Sequence, residues 1–118
     1  MKNNRYYQKC ITFGRAAEGL RADFQEQLIE LQKGIGFKYV RFHGIFHDDM
    51  AVYREENSEP KLWFGYVDKL FDFLLAHGLK PLLELGFVPT ELALFRIQCF
   101  GGTLTGARQM ITISGNLW

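Results

Sequence analysis

The sequence has only two cysteines, Cys10 and Cys99, far apart and in no C-x-x-C pair. That leaves no disulfide framework and no cysteine-based metal site, and the expectation is a reduced, cytoplasmic chain with both thiols free. It also lacks any apolar run near the ~20 residues that a membrane-spanning helix requires. Met1 to Lys9 is polar and tyrosine-rich, unlike a secretory leader. Neither sign of charge dominates: 14 Lys plus Arg stand against 13 Asp plus Glu, for a net charge of +1. Such a balance offers no pull on nucleic acid or an anionic membrane, so neither is expected as a partner. What is present is the composition of one soluble globular domain, 47% hydrophobic and 23% charged over 118 residues. Aromatics reach 15%, with 11 Phe, which suits a dense core or a sugar-binding surface. The core is the simpler reading.

Lys9 to Phe13 is a short apolar run that predicts a strand, and Gly14 to Gly19 reads as a loop. Arg21 to Lys33 carries a helical pattern, with Phe24, Leu28 and Leu31 on one face and Glu26, Gln27 and Glu30 turned outward. Gly34 and Gly36 end it. Phe37 to Phe42 predicts a second strand, rich in aromatic and β-branched residues. His43 to Pro60 reads as a long polar loop. Phe64 to His77 is the strongest helix, with a stripe of Val67, Leu70, Phe71, Leu74 and Leu75, and Gly78 at its end. Leu79 to Leu85 predicts a third strand, with Pro81 near its start, where a missing N–H is best tolerated.

The order β-α-β-α-β implies an α/β fold with parallel strands and right-handed crossovers. Three units cannot close a barrel, which takes about 250 residues. The chain is therefore either a small open sheet or part of something larger. Its long loop follows the C-terminal end of the second strand, the edge where α/β proteins place their sites.

Gly36-Phe37-Lys38-Tyr39-Val40-Arg41-Phe42-His43-Gly44, followed by Asp48-Asp49-Met50, resembles the second strand and following loop of family 39 glycosidases. Tyr66-Val67-Asp68 and Phe71-Asp72-Phe73 resemble their second helix. Lys80-Pro81 and Glu84-Leu85-Gly86-Phe87-Val88-Pro89 resemble their third strand and its exit. The resemblance runs from about Cys10 to Ala93 and implies the first three β/α units of a (β/α)8 barrel. It implies a retaining β-xylosidase acting on xylo-oligosaccharides, with no cofactor. Retention needs two carboxylates about 5 Å apart. In the family these follow strand four, after an Asn, and strand seven. Here Asn57 is followed by Ser58, and no catalytic residue carries over. The expectation is a stretch without hydrolase activity of its own.

The resemblance divides the chain into a barrel part, 1–93, and a tail, 94–118, with no clear period. The family continues with a segment resembling TVFWW-x-x-N-x-T-P-P-x-D-Y-x-K-W. A reading frame taken from the third base of each codon allows Val-Phe-Trp-Trp across Gln98 to Gly102. It allows Asp-Tyr-x-Lys-Trp across Met110 to Gly115, the Asp being obligatory. A frameshift near Ala93 is the expected origin of the tail, the alternative being a divergent or genuinely different C-terminus.

Within this frame the candidate substrate-binding residues are His43 and Glu84. The resemblance implies that His43 hydrogen-bonds a sugar hydroxyl at the inner subsite, which suits a ring that donates and accepts; the alternative is a ring satisfied by backbone groups. Glu84, at the end of the third strand, is either a pocket wall or a carboxylate anchored by its neighbours. His43, His47, Asp48 and Asp49 match no zinc spacing, and paired aspartates more often cap turns, so no metal is expected. Arg15 and Glu18 could line the site or be solvated; Phe46 and Trp63 could stack on sugars, though packing is the plainer role for them. Cys10 reads as a small buried hydrophobe. A different class of function is a sugar-sensing domain, as in AraC-type transcription regulators, which would need a helix-turn-helix segment absent from this sequence. A third is a self-sufficient small α/β domain.

Overall fold

The computed structural model describes residues 6–92, 96–99 and 102–105. Its centre is a parallel sheet of β1 (Cys10–Arg15), β2 (Tyr39–His43) and a third strand at Lys80–Glu84, with β2 in the middle. Helix α1 (Ala22–Ile35) joins the first two strands. The connection from β2 holds a short 3-10 helix (Asp48–Met50), a hairpin of β3 (Tyr53–Glu56) and β4 (Glu59–Leu62), and helix α2 (Gly65–Ala76). The strand at Lys80–Glu84 is therefore β5, and a second hairpin pairs β6 (Arg96–Cys99) with β7 (Gly102–Thr105).

Alternation along β2 decides which way the sheet faces. Val40 and Phe42 are fully buried on the helix side, with Leu28 of α1 and Leu70 and Leu74 of α2. Phe13 stacks on Phe42 at 4.7 Å between ring centroids and meets Phe24 at 4.8 Å. Most of the phenylalanines described thus serve the core, as the sequence implied. Tyr39 and Arg41 point to the other side, where Leu82 and Cys10 also lie exposed. Cys10 is thus an exposed free thiol and not a buried hydrophobe, because its parity in β1 puts it on the uncovered face. The side chain of Cys99 lies outside the described residues.

Gln32 locks the two helix ends to the sheet. Its Nε2 donates to the carbonyls of Phe37 at 2.8 Å and His77 at 3.1 Å, while its Oε1 accepts from the Phe37 N–H at 2.8 Å. One side-chain amide thereby satisfies backbone groups left over at the entry to β2 and the end of α2.

Several expectations shift. The segment after β1 is a 3-10 helix, Ala16–Leu20, with Ala16 and Gly19 buried, since small residues let a tight turn sit on the core. Helix α1 runs through Gly34 and stops at Gly36, which adopts the left-handed conformation. Leu31 and Leu75 are 44% and 57% exposed, so each stripe is narrower than its periodicity implied. The largest departure is the hairpin inside the supposed polar loop. Its strands are mostly charged, and only Tyr53 is part-buried, so no apolar alternation marks them.

Candidate functional site

At the C-terminal edge of the sheet the strand register sets Arg15, His43 and Glu84 abreast. The structure thus brings the two candidate residues, His43 and Glu84, side by side. Glu84 is not free: its Oε1 accepts from Arg41 Nε at 2.8 Å, with both side chains about half exposed. Arg41 is not among the candidate residues that the sequence singles out. The signal was parity, since Tyr39, Arg41 and His43 must share a face of β2.

The chain leaves this edge abruptly. Gly44 follows His43 with φ of +76°, a left-handed conformation that lets the backbone turn at once. Phe87, beyond β5, also has a positive φ, +62°, which is unusual for a bulky residue. Its ring lies 4.9 Å from that of His43 and 6.3 Å from that of His47. Phe87 is therefore the wall against which the His43 ring rests, a role that only the folded exit of β5 reveals.

His43 Nδ1 is buried and has no hydrogen-bond partner. A buried unpaired N–H is rarer and costlier than an unpaired lone pair. In the neutral ring this favours the tautomer with the proton on Nε2, making that nitrogen a donor for an oxygen in the pocket.

The acidic residues of the loop are already engaged. Asp48 accepts from the Thr90 N–H at 2.8 Å and from the Thr90 hydroxyl, tying the loop after β2 to the exit of β5. Glu91 reinforces this by accepting from the Glu55 N–H at 2.6 Å. Asp49 lies 3.4 Å from Arg15 and 3.0 Å from His47 Nδ1. The same nitrogen is 3.4 Å from the Asp49 N–H and can accept from it only when unprotonated. Among the described residues no group of three His, Cys, Asp or Glu side chains is arranged to hold a metal. Arg15 thus fixes the loop rather than standing free at the edge, while Glu18 curls back over Gly14. Phe46 lines an apolar cleft with Val52, Phe64 and Val88. Trp63 is half exposed and not packed inside.

The model of Glycosyl hydrolases family 39 matches residues 1–113. The chain belongs to that family. Two β-xylosidases show the likeness in sequence. One, from Caldicellulosiruptor saccharolyticus, is 40% identical over 93 residues, covering 78% of this chain and 19% of that protein. The other, from Geobacillus stearothermophilus, is 34% identical over 96 residues, again 78% and 19%. In structure, a GH39 β-xylosidase from Caulobacter crescentus superposes with a TM-score of 0.72 at 34% identity, over 77% of this chain and 20% of that one. A GH39 enzyme from Xanthomonas axonopodis pv. citri gives 0.80 at 26% identity, over 96% and 23%. The chain thus spans about a fifth of the length of these family 39 relatives. Its parallel sheet and two helices are the first β/α units of the family 39 (β/α)8 barrel. The family match reaches past Ala93 into the 94–118 segment. Among the described residues no helix is long and apolar enough to cross a membrane.

Proposed function

We propose that this chain forms one wall of a glycosidase pocket that takes β-xylosides, with His43 as a donor to a sugar hydroxyl and Glu84 as a wall residue aligned by Arg41. The observation that carries this is His43. It stands at the C-terminal edge of the central strand, held by Phe87 at 4.9 Å, with its Nδ1 buried and unpartnered. That arrangement leaves Nε2–H for a ligand, at the edge where barrel enzymes bind theirs. The β-xylosidase relatives supply the sugar class.

The two carboxylates that retention requires are not among the residues assigned to this wall. The chain alone then binds weakly and does not hydrolyse. The test is a titration of the 15N-labelled chain with xylobiose. Shifts centred on His43, Phe87 and Glu84, lost in His43→Ala, support the reading. Shifts absent from the ends of β2 and β5 contradict it.

We further propose that residues 94–118 derive from a shifted reading frame and that 1–93 is the barrel part. The codon argument supports this, whereas the family match to residue 113 weighs against so sharp a boundary. Nucleotide sequencing decides it, since stop codons in the shifted frame sink the idea. The exposed thiol of Cys10 on an uncovered sheet face favours a reducing, cytoplasmic setting.

A further inference from the structure

The hairpin in the β2–α2 connection has two unlike faces. Tyr53 and Leu62, opposite one another in register, line the apolar cleft of Phe46, Phe64, Val88 and Pro89, and Leu62 also borders the second cleft. Arg54 and Lys61, also opposite one another, turn with Glu56 toward Trp63 and Tyr66 at the start of α2. The second cleft has a volume of about 460 Å³, within the usual span for small-molecule sites.

Its aromatic pair is held in place. Trp63 and Tyr66 meet edge to face at 4.8 Å and 81°, a favoured geometry for ring quadrupoles. The Trp63 ring lies across Gly65, and a methyl group there would collide with it. Glycine at the first position of α2 is thus what seats the indole. Trp63 and Tyr66 remain 50% and 43% exposed. Lys61 pairs with Glu56, while Arg54 makes no ion pair among the described residues.

An exposed, fixed aromatic face ringed by charges of both signs suits one kind of ligand. With Lys61 paired to Glu56, the lining keeps one cation uncompensated among the described residues, Arg54, whose N–H groups can donate to a hydroxyl oxygen. A protein interface core would be depleted of Lys and Glu. A neutral sugar fits both parts: its C–H face covers an aromatic ring and its hydroxyls meet Arg, Lys and Glu.

We propose that Trp63, Tyr66, Arg54, Glu56 and Lys61 form a second sugar-binding platform, separate from the β2 edge, which takes one unit of a xylo-oligosaccharide against the Trp63 indole. The choice of xylose rests on the glycoside reading above; the platform rests on its own geometry. The platform lies on the excursion from the C-terminal end of β2, so it shares the pocket's side of the sheet.

The experiment uses the full chain carrying Trp118→Phe, which leaves Trp63 as the only tryptophan. Adding xylotriose should shift Trp63 emission to the blue and saturate in the millimolar range. Gly65→Ala, which unseats the ring, should weaken binding about tenfold, or by roughly 1.4 kcal/mol, with an unchanged circular dichroism spectrum. Trp63→Phe, read by calorimetry, should retain part of the affinity. His43→Ala should leave the Trp63 signal intact. No change in emission up to about 50 mM xylotriose, a concentration at which even millimolar binding saturates, overturns the platform whatever the fold of the chain. Loss in His43→Ala without loss in Gly65→Ala overturns it too, while leaving the proposed pocket standing.

Discussion

His43 and the residue after it show how much a single position decides. Because Gly44 sits at φ of +76°, Gly44→Ala should cost about 1–2 kcal/mol of left-handed strain. The loss would be read as a lower urea midpoint. Phe42, fully buried between Phe13 and the helices, should cost about 3–5 kcal/mol when cut to Ala, and its loss should abolish cooperative unfolding of the chain. The placement of His43 was legible, since an aromatic and β-branched run ending at His-Gly puts it at a strand exit. Phe87 was not. Its role depends on a backbone conformation that bulky residues rarely adopt, and no pattern of neighbours announces that.

The helices and main strands were legible because each has one apolar face or run and glycine near its end. Their bounds moved by one or two residues, since helix ends obey capping geometry and not periodicity. The β3–β4 hairpin was not legible, because it packs little and its strands are charged. Its turn residues, Asn57 and Ser58, both have positive φ, 54° and 63°, as the tight turn of a two-residue hairpin requires. Ser58→Gly should therefore stabilise the hairpin by about 1 kcal/mol, seen as slower amide exchange across β3 and β4. At the other end of the first crossover, Gln32→Ala removes three hydrogen bonds to backbone groups. It should cost about 1–3 kcal/mol, with α1 and α2 fraying first in hydrogen exchange. At the start of α1, hydrogen bonding to Arg21 and then to the Phe24 N–H holds the Asp23 carboxyl below its ordinary value. A depressed carboxylate pKa means stability present above the unfolded value and lost as pH falls through the folded one. A small loss of α1 helicity below about pH 4 is expected, measurable by circular dichroism and absent in Asp23→Asn.

Among the described residues the sheet is covered on one side only. Parallel sheets normally carry helices or a barrel interior on both faces. Here Tyr39 and Leu82 lie 43% and 51% exposed on the bare side, and β1 and β5 are edge strands among the described residues. The isolated chain should therefore self-associate as its concentration rises. Leu82→Lys should reduce that association in sedimentation velocity, while leaving the helix-side core intact. On this same side Arg41 and Glu84 pair in contact with solvent.

If this stretch is a barrel wall whose reacting carboxylates lie elsewhere, it has no turnover of its own. Incubating the purified chain with 4-nitrophenyl β-xyloside and following nitrophenolate release tests it most directly. No release above buffer is the expected result. Sustained turnover that scales with the amount of chain, and that survives removal of trace contaminants, would contradict it.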